Sequence, residues 1–285
     1  MKLSIIIPNW NSAACLRRCL WSLESCTIVP REIIVVDNGS TRDDSLTLLR
    51  GLESQGTVKA IFNRENLGPG AARNQAMELA KGEYLLCLDS DTEVTPDAVE
   101  RLVASMDAHS EVGLCAARLR APGGNLQFTC GRFPTLQSKL YRQLPGSLRH
   151  RVLREHEFRN WDHRSPRFVD TAISACHMIR RVALDAVGGY DPKIFYAPED
   201  VDLCLRMWQA GWKVLYEGRA VVIHHEQRIT KRWTKLLSRA TREHLRGLVY
   251  YFRKHRYLFR PPEFGLAEPE LAPEELVSCA EESHA

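Results

Sequence analysis

Two aspartates separated by one serine, Asp89-Ser90-Asp91, follow the apolar run from Tyr84 to Leu88. Paired carboxylates at a strand end are hard oxygen ligands that suit Mg2+ or Mn2+, and such ions keep positions open for substrate phosphates. That arrangement neutralises charge on a departing pyrophosphate. Capping of the next turn is the plainer reading of so short a pattern. A second acidic group, Glu199-Asp200-Val201-Asp202, opens a helix after an aromatic loop. The helix dipole favours acids in a first turn, but three in four residues exceed what capping needs. A carboxylate there can take a proton from an attacking hydroxyl. His224-His225 ends a later strand, where an imidazole can complete a metal site or simply be structural. Asp37, in Asp37-Asn38-Gly39-Ser40, is placed to accept hydrogen bonds from a nucleobase or ribose, against a bland reading as a turn. In Asn66 to Asn74 a Gly-Pro-Gly turn opens a helix whose N-terminus favours anions, with Arg73 as a phosphate partner or a surface ion pair. This stretch is neither a G-x-G-x-x-G fingerprint nor a G-x-x-x-x-G-K-[ST] loop, which counts against dehydrogenase and P-loop readings.

The elements that must position these groups follow from periodicity. Residues 3–8, 32–37, 57–62, 84–88 and 112–117 read as strands. Helices are predicted from Asn11 or Ser12 to about Ser25, over 43–54, from Gly68 to Ala80, and from Pro96 to about Ala108. This alternation predicts a mostly parallel sheet with helices on both faces. Its strands end in Asn9, Asp37, Asn63 and Asp89, so their polar ends converge on one crevice. The Pro- and Gly-rich stretch 120–168 reads as loops and short helices that cover the crevice and order on donor binding. A helix from Asp200 to Ala210, strands near 213–216 and 220–223, and a basic helix over 231–257 complete the reading.

The net charge of +4 is unevenly placed. From Arg228 to Arg260 basic residues are dense and only Glu243 opposes them, whereas from Glu263 onward there is no Lys or Arg. The basic stretch, with Trp233, Tyr250, Tyr251, Phe252, Tyr257 and Phe259, suits an anionic membrane surface, and no nucleic-acid motif accompanies it. The alternative is a solvated face packed on the rest of the protein. The nine cysteines contain no C-x-x-C pair, and Cys87, Cys115, Cys176 and Cys204 sit in apolar runs as core residues. Unpaired thiols in that number favour a cytoplasmic setting. No signal-peptide pattern or membrane span is apparent, so the expected location is cytoplasmic, peripheral at the inner face of the plasma membrane.

Taken together, SIIIPNWN, EIIVVDNGS, NLGPGAARNQA, GEYLLCLDSDT, AVGGYD, PEDVDLCLRMWQAGWKV and VVIHHE resemble, in order and spacing, the family-two glycosyltransferases, and more narrowly the bacterial rhamnosyltransferase-like branch. The resemblance covers about residues 3–226. It implies a GT-A (Rossmann-like) α/β fold and inverting transfer of a sugar, rhamnose or another hexose. The donor would be a dTDP- or UDP-sugar, and the acceptor a glycan or polyprenyl-linked molecule in cell-surface polysaccharide synthesis. By motif match Asp200 is the base and Glu199 the second candidate. Asp91 is the metal-binding acid, Asp89 lies nearer ribose and sugar, and His224, in preference to His225, is a later ligand for Mn2+ or Mg2+. Pro8, Asn9, Asp37 and Arg73 match donor-nucleotide positions. The implied organisation is a GT-A domain over 1–226 (donor half about 1–118, acceptor half about 119–226), a basic helical region over 227–260 and an acidic, disordered tail over 261–285. Ser174-Ala175-Cys176 and Ala197-Pro198 depart from the family's usual residues where sugar and acceptor would sit. Two other classes compete: a sugar nucleotidyltransferase, against which Pro8-Asn9-Trp10-Asn11 stands where a Gly-rich, Arg-containing loop would be expected, and a non-catalytic nucleotide-sugar-binding module.

Overall fold

The computed structural model describes residues 1–28, 31–141, 154–225 and 239–265. Four apolar runs make the parallel half of a sheet: β1 (Leu3–Asn9), β2 (Arg31–Asp37), β3 (Lys59–Phe62) and β4 (Tyr84–Leu88). β1 lies between β2 and β4, and β3 flanks β2. Leu3 to Ile7 and Tyr84 to Leu88 are buried without alternation, as expected of strands covered on both faces. The crossovers run through α1 (Ala13–Ser22), α2 (Ser45–Ser54) and α3 (Pro69–Leu79). α1 starts after Ser12, but neither Ser12 nor Asn11 caps it: Asp43 Oδ2 accepts the Ala13 N–H at 2.7 Å. Gly68 precedes Pro69 with φ of 90°, and a Cβ there would stand 2.4 Å from Phe195 O. Glycine is thus required twice over, by conformation and by close approach.

The chain continues through β5 (Thr92–Val94), α4 (Ala98–Ala108), β6 (Val112–Arg120), β7 (Cys130–Gly131), α5 (Leu136–Tyr141), β8 (Arg167–Phe168), β9 (Thr171–Ala172), β10 (Cys176–Arg180), α6 (Arg181–Val187), α7 (Glu199–Gln209), β11 (Lys213–His224) and α8 (Arg239–His255). Among the described residues the main sheet has nine strands in the order β3-β2-β1-β4-β10-β6-β11-β5, with β8 attached to β11. β10 runs antiparallel between β4 and β6, so the sheet is mixed but mostly parallel. The two strands expected near 213–216 and 220–223 are one strand, β11, with a register shift between Glu217 and Val221 where it leaves and rejoins β6. Within 120–168 the described residues form β7, α5, a helical turn at 154–156 and β8 between loops, and 142–153 lie outside the described residues. So do 226–238 of the basic stretch and the tail from 266. The four core cysteines are buried, and every described cysteine is unpaired. Among the described residues no helix is long and apolar enough to cross a membrane.

Candidate active site

The chain turns sharply after β4. Thr92 N–H and Oγ1 both donate to Asp89 O, at 3.1 and 2.7 Å, and this starts β5. β5 pairs with the end of β11, setting Thr92 opposite His224. The ladder therefore carries His224 to the Asp89-Ser90-Asp91 turn. One ligand atom each of Asp89, Asp91 and His224 lie within 4.8 Å of one another, and His224 Nε2 is 3.5 Å from Asp91 Oδ1. Ligands that share one divalent ion sit roughly 2.0–2.6 Å from it, so this spacing fits a cation between them. Two carboxylates and an imidazole suit a divalent ion of this class. His225 points elsewhere: its Nε2 lies 2.6 Å from Glu93 Oε1.

Gln127, which the sequence reading does not single out, holds His224 from behind. Its Oε1 lies 2.8 Å from His224 Nδ1, and its Nε2 donates to His224 O at 2.9 Å. A proton on Nδ1, donated to that amide oxygen, leaves the Nε2 lone pair facing Asp91.

Arg73 is not a surface residue. It is 1% exposed on α3. Its Nη2 pairs with Asp89 Oδ1, its Nη1 lies 3.7 Å from Glu199 Oε1, and its guanidinium packs 5.2 Å from the Tyr190 ring centroid. One buried cation thus ties the turn after β4 to the start of α7. Burial opposes its charge, but Asp89, Tyr190 and Glu199 hold the proton on and raise its pKa. Burial raises the Glu199 carboxyl, the Asp200 charge adds to this, and Arg73 opposes it. Burial also raises Asp200, against its bond from Val201 N–H and the charges of Arg73 and Lys139. Asp200 is half-buried whereas Glu199 is buried, so Asp200 is the more open of the two. Beneath them, burial and then Arg73 push His177 down to about 3, which keeps its ring neutral.

The nucleotide-side residues form a brace. Asp37 is fully buried; its Oδ1 accepts from Asn9 Nδ2 at 3.1 Å and its Oδ2 from Ser40 N–H at 2.9 Å. Asn9 Nδ2 also donates to Ser45 Oγ at 2.9 Å, while Asn9 Oδ1 is buried without a hydrogen-bond partner among the described residues. Pro8, beside it, is half-buried. Asn38 links the ends of β2, β3 and α3, accepting from Asn63 Nδ2 (3.0 Å) and Leu67 N–H (3.1 Å) and donating to Asn66 Oδ1 (3.0 Å) and Gly68 O (3.1 Å). Asn74 joins α3 to the Gly188-Gly189-Tyr190 turn, accepting from Tyr190 N–H at 2.8 Å and donating to Tyr190 O at 2.7 Å.

The structure thus gathers Asp89, Asp91, His224, Arg73 and Glu199 into one connected group, with Asp200 next to Glu199. Asn9 and Asp37 form a separate brace at the ends of β1 and β2.

Comparison with known proteins accounts for this arrangement. The model of Glycosyl transferase family 2 matches residues 4–188. The chain is 30% identical over 230 residues to the O-antigen biosynthesis protein RfbC of Myxococcus xanthus, covering 79% of this chain but only 17% of that longer protein. It is 27% identical over 280 residues to an N-acetylglucosaminyl-diphospho-decaprenol L-rhamnosyltransferase of Mycobacterium tuberculosis, covering 91% of this chain and 87% of that one. In fold it is similar to GalNAc-T7 solved with UDP, GalNAc and Mn2+ (TM-score 0.61, 22% identity, 79% of this chain and 44% of that one). It is also similar to the mannosyltransferase PcManGT of Pyrobaculum calidifontis, solved with GDP-Man and Mn2+ (TM-score 0.60, 19% identity, 92% and 66%). The mixed sheet, the acids and histidine gathered after β4 and the match over 4–188 lead to one assignment: the chain belongs to glycosyl transferase family 2 and has the GT-A fold.

Proposed function

We propose that this protein is an inverting, metal-dependent glycosyltransferase. It moves a sugar, rhamnose or another hexose, from a dTDP- or UDP-linked donor to a glycan or polyprenyl-linked acceptor, in the cytoplasm at the inner membrane face. The observation that carries the reading is the gathering of Asp89, Asp91 and His224 within 4.8 Å, joined through Arg73 to Glu199 beside Asp200. Asp91 and His224, with Asp89 beside them, would hold the cation; an imidazole in the set favours Mn2+ over Mg2+. When bound, that ion supplies charge neutralisation for the diphosphate.

The remaining chemistry belongs to the side chains. Asp200 takes the proton of the acceptor hydroxyl as its oxygen attacks the anomeric carbon. The bond from that carbon to the diphosphate oxygen breaks on the opposite face, and its electron pair leaves with the nucleoside diphosphate. One base suffices, and no bond to the protein forms. A carboxyl raised above its ordinary range is better matched to this task than an unperturbed one. Glu199, buried against Arg73, positions rather than reacts. Pro8, Asn9 and Asp37 shape the nucleotide end, Asn9 and Asp37 from beneath as buried groups.

The test is calorimetric titration with UDP-, dTDP- and GDP-sugars, with and without Mn2+, on wild type and Asp91→Ala. One donor should bind in a metal-dependent manner, and Asp91→Ala should weaken it. Binding of no donor under any metal would return the protein to the non-catalytic class. Release of pyrophosphate, rather than of nucleoside diphosphate, would make it a nucleotidyltransferase.

A further inference from the structure

α8 has two unlike faces. One is fixed to the segment that leads into Glu199 and Asp200. Fully buried Asp202 meets Lys254 Nζ at 2.7 Å and His255 Nε2 at 2.8 Å. Asp191 meets Lys254 Nζ at 2.7 Å and accepts from Tyr250 Oη at 3.0 Å. Gly247 lies so close that a Cβ would stand 2.6 Å from Ala197 O. Lys254 and His255 are therefore committed to the protein and do not belong to a free basic surface.

The opposite face carries Arg242, Leu245, Arg246, Val249 and Arg253, all exposed, and the exposed Arg256 follows directly after the helix end. Their spacing of three and four keeps them on one side of the helix. Leu245 and Val249 are 60% and 50% exposed, and just beyond the helix Leu258 and Phe259 are 46% and 62% exposed. A groove of about 490 Å³ follows this face, with Leu136 on its far wall and Arg253 and Arg256 among its lining. The one acid on this stretch of helix, Glu243, is paired with Arg246 at 2.7 Å.

Large aliphatic and aromatic side chains held in water beside arginines, of which only Arg246 has an acidic partner among the described residues, match the boundary between acyl chains and anionic headgroups. Arginines alone would serve a nucleic acid, but four exposed apolar side chains among them would gain nothing there. We propose that this face of α8, with Leu258 and Phe259, seats the protein on an anionic lipid bilayer. The apolar side chains enter the headgroup boundary, and Arg242, Arg246, Arg253 and Arg256 meet lipid phosphates. α5 connects this surface to the site: Leu136 lines the groove, and the charge of Lys139 acts on Asp200. The inference deepens the lipid-linked acceptor reading, but the contact itself does not depend on that reading.

The test is flotation of the full chain with phosphatidylcholine vesicles, with and without phosphatidylglycerol. Wild type should float only with the anionic lipid, and less at high salt. Leu245→Ser with Val249→Ser, and separately Arg253→Gln with Arg256→Gln, should each cut the bound fraction by about tenfold while keeping the wild-type melting temperature. Wild type that stays unbound, floats equally on neutral vesicles, or floats undiminished in both folded double variants would overturn the proposal. Donor binding by calorimetry separates the two readings. Vesicle binding without donor binding leaves the surface standing and removes the enzyme; the converse removes only the surface.

Discussion

At the residue scale, the site depends on side chains that serve two partners at once. Gln127 fixes both the ring and the carbonyl of His224. Losing such a partner behind a ligand typically costs about 10–100-fold in metal affinity, so Gln127→Ala should weaken Mn2+ binding by about that factor, read by electron paramagnetic resonance titration. Unchanged affinity would show that the amide is only packing. Arg73→Met would leave Asp89 and Glu199 facing each other without their shared cation. Removing one partner of a buried pair costs about 3–5 kcal/mol, measurable by urea unfolding. Arg73→Lys should recover little, because a point ammonium cannot reproduce the planar fork. The pH dependence has opposite signs at neighbouring acids. Glu199 and Asp200 are raised by burial, so the native state holds their protons more tightly than the unfolded chain. Their contribution to stability is favourable at low pH and is lost as pH rises from the ordinary carboxylate range through the raised values. With Asp200 as the proposed base, which must be ionised, kcat/KM should fall on acidification, at a pH above the ordinary aspartate value. Asp200→Asn should remove that limb together with most activity. At Asp202 burial alone would raise the carboxyl, but His255, Arg206 and Lys254 hold it at about 2. Its stabilisation is present above the ordinary carboxylate range and fades as pH falls toward that value. The carboxylates were legible in the sequence because acids at strand and helix ends stand out. Arg73 reads in the sequence as a phosphate partner or a surface ion pair, and its burial corrects only the second, although Gly70, Ala76 and Met77, three and four residues away on the same helix, are buried with it. That spacing was an available signal of a buried arginine. Gln127 had none, since it lies in a loop far from His224 in sequence.

At the element scale, continuous apolar runs gave β1, β2 and β4 almost to the residue, because double-sided burial selects such runs. β5 and β10 did not show. Three residues of β5 exist as a strand only because β11 passes beside them, and β10 is a short run bounded by Arg180 whose partners are remote in sequence. The bulge in β11 broke its pattern into two apparent strands. α8 was legible as a basic helix, but not the division of its cations between ion pairs and water. Gly247→Ala tests that docking. Its Cβ would fall 2.6 Å from Ala197 O, and overpacking of this kind costs about 1–3 kcal/mol. Hydrogen exchange should quicken through α8 and the 191–198 segment, while β1 and β4 stay protected.

At the scale of the whole molecule, a donor half ending near 118 and an acceptor half beginning there were expected from sequence motifs, yet one sheet runs through both. β10, from the later half, lies between β4 and β6 of the earlier half. Differential scanning calorimetry should therefore give a single transition with equal calorimetric and van't Hoff enthalpies. Two separated transitions would show instead that the halves unfold independently. The same interleaved strand limits how the molecule can work as a machine. Two halves joined by a shared hydrogen-bonded strand have no hinge between them, so they cannot swing apart to admit donor or discharge product. In the proposed reaction any travel would instead come from loops outside the shared sheet, and the slowest step of turnover would then be set by loop rearrangement rather than by domain rotation.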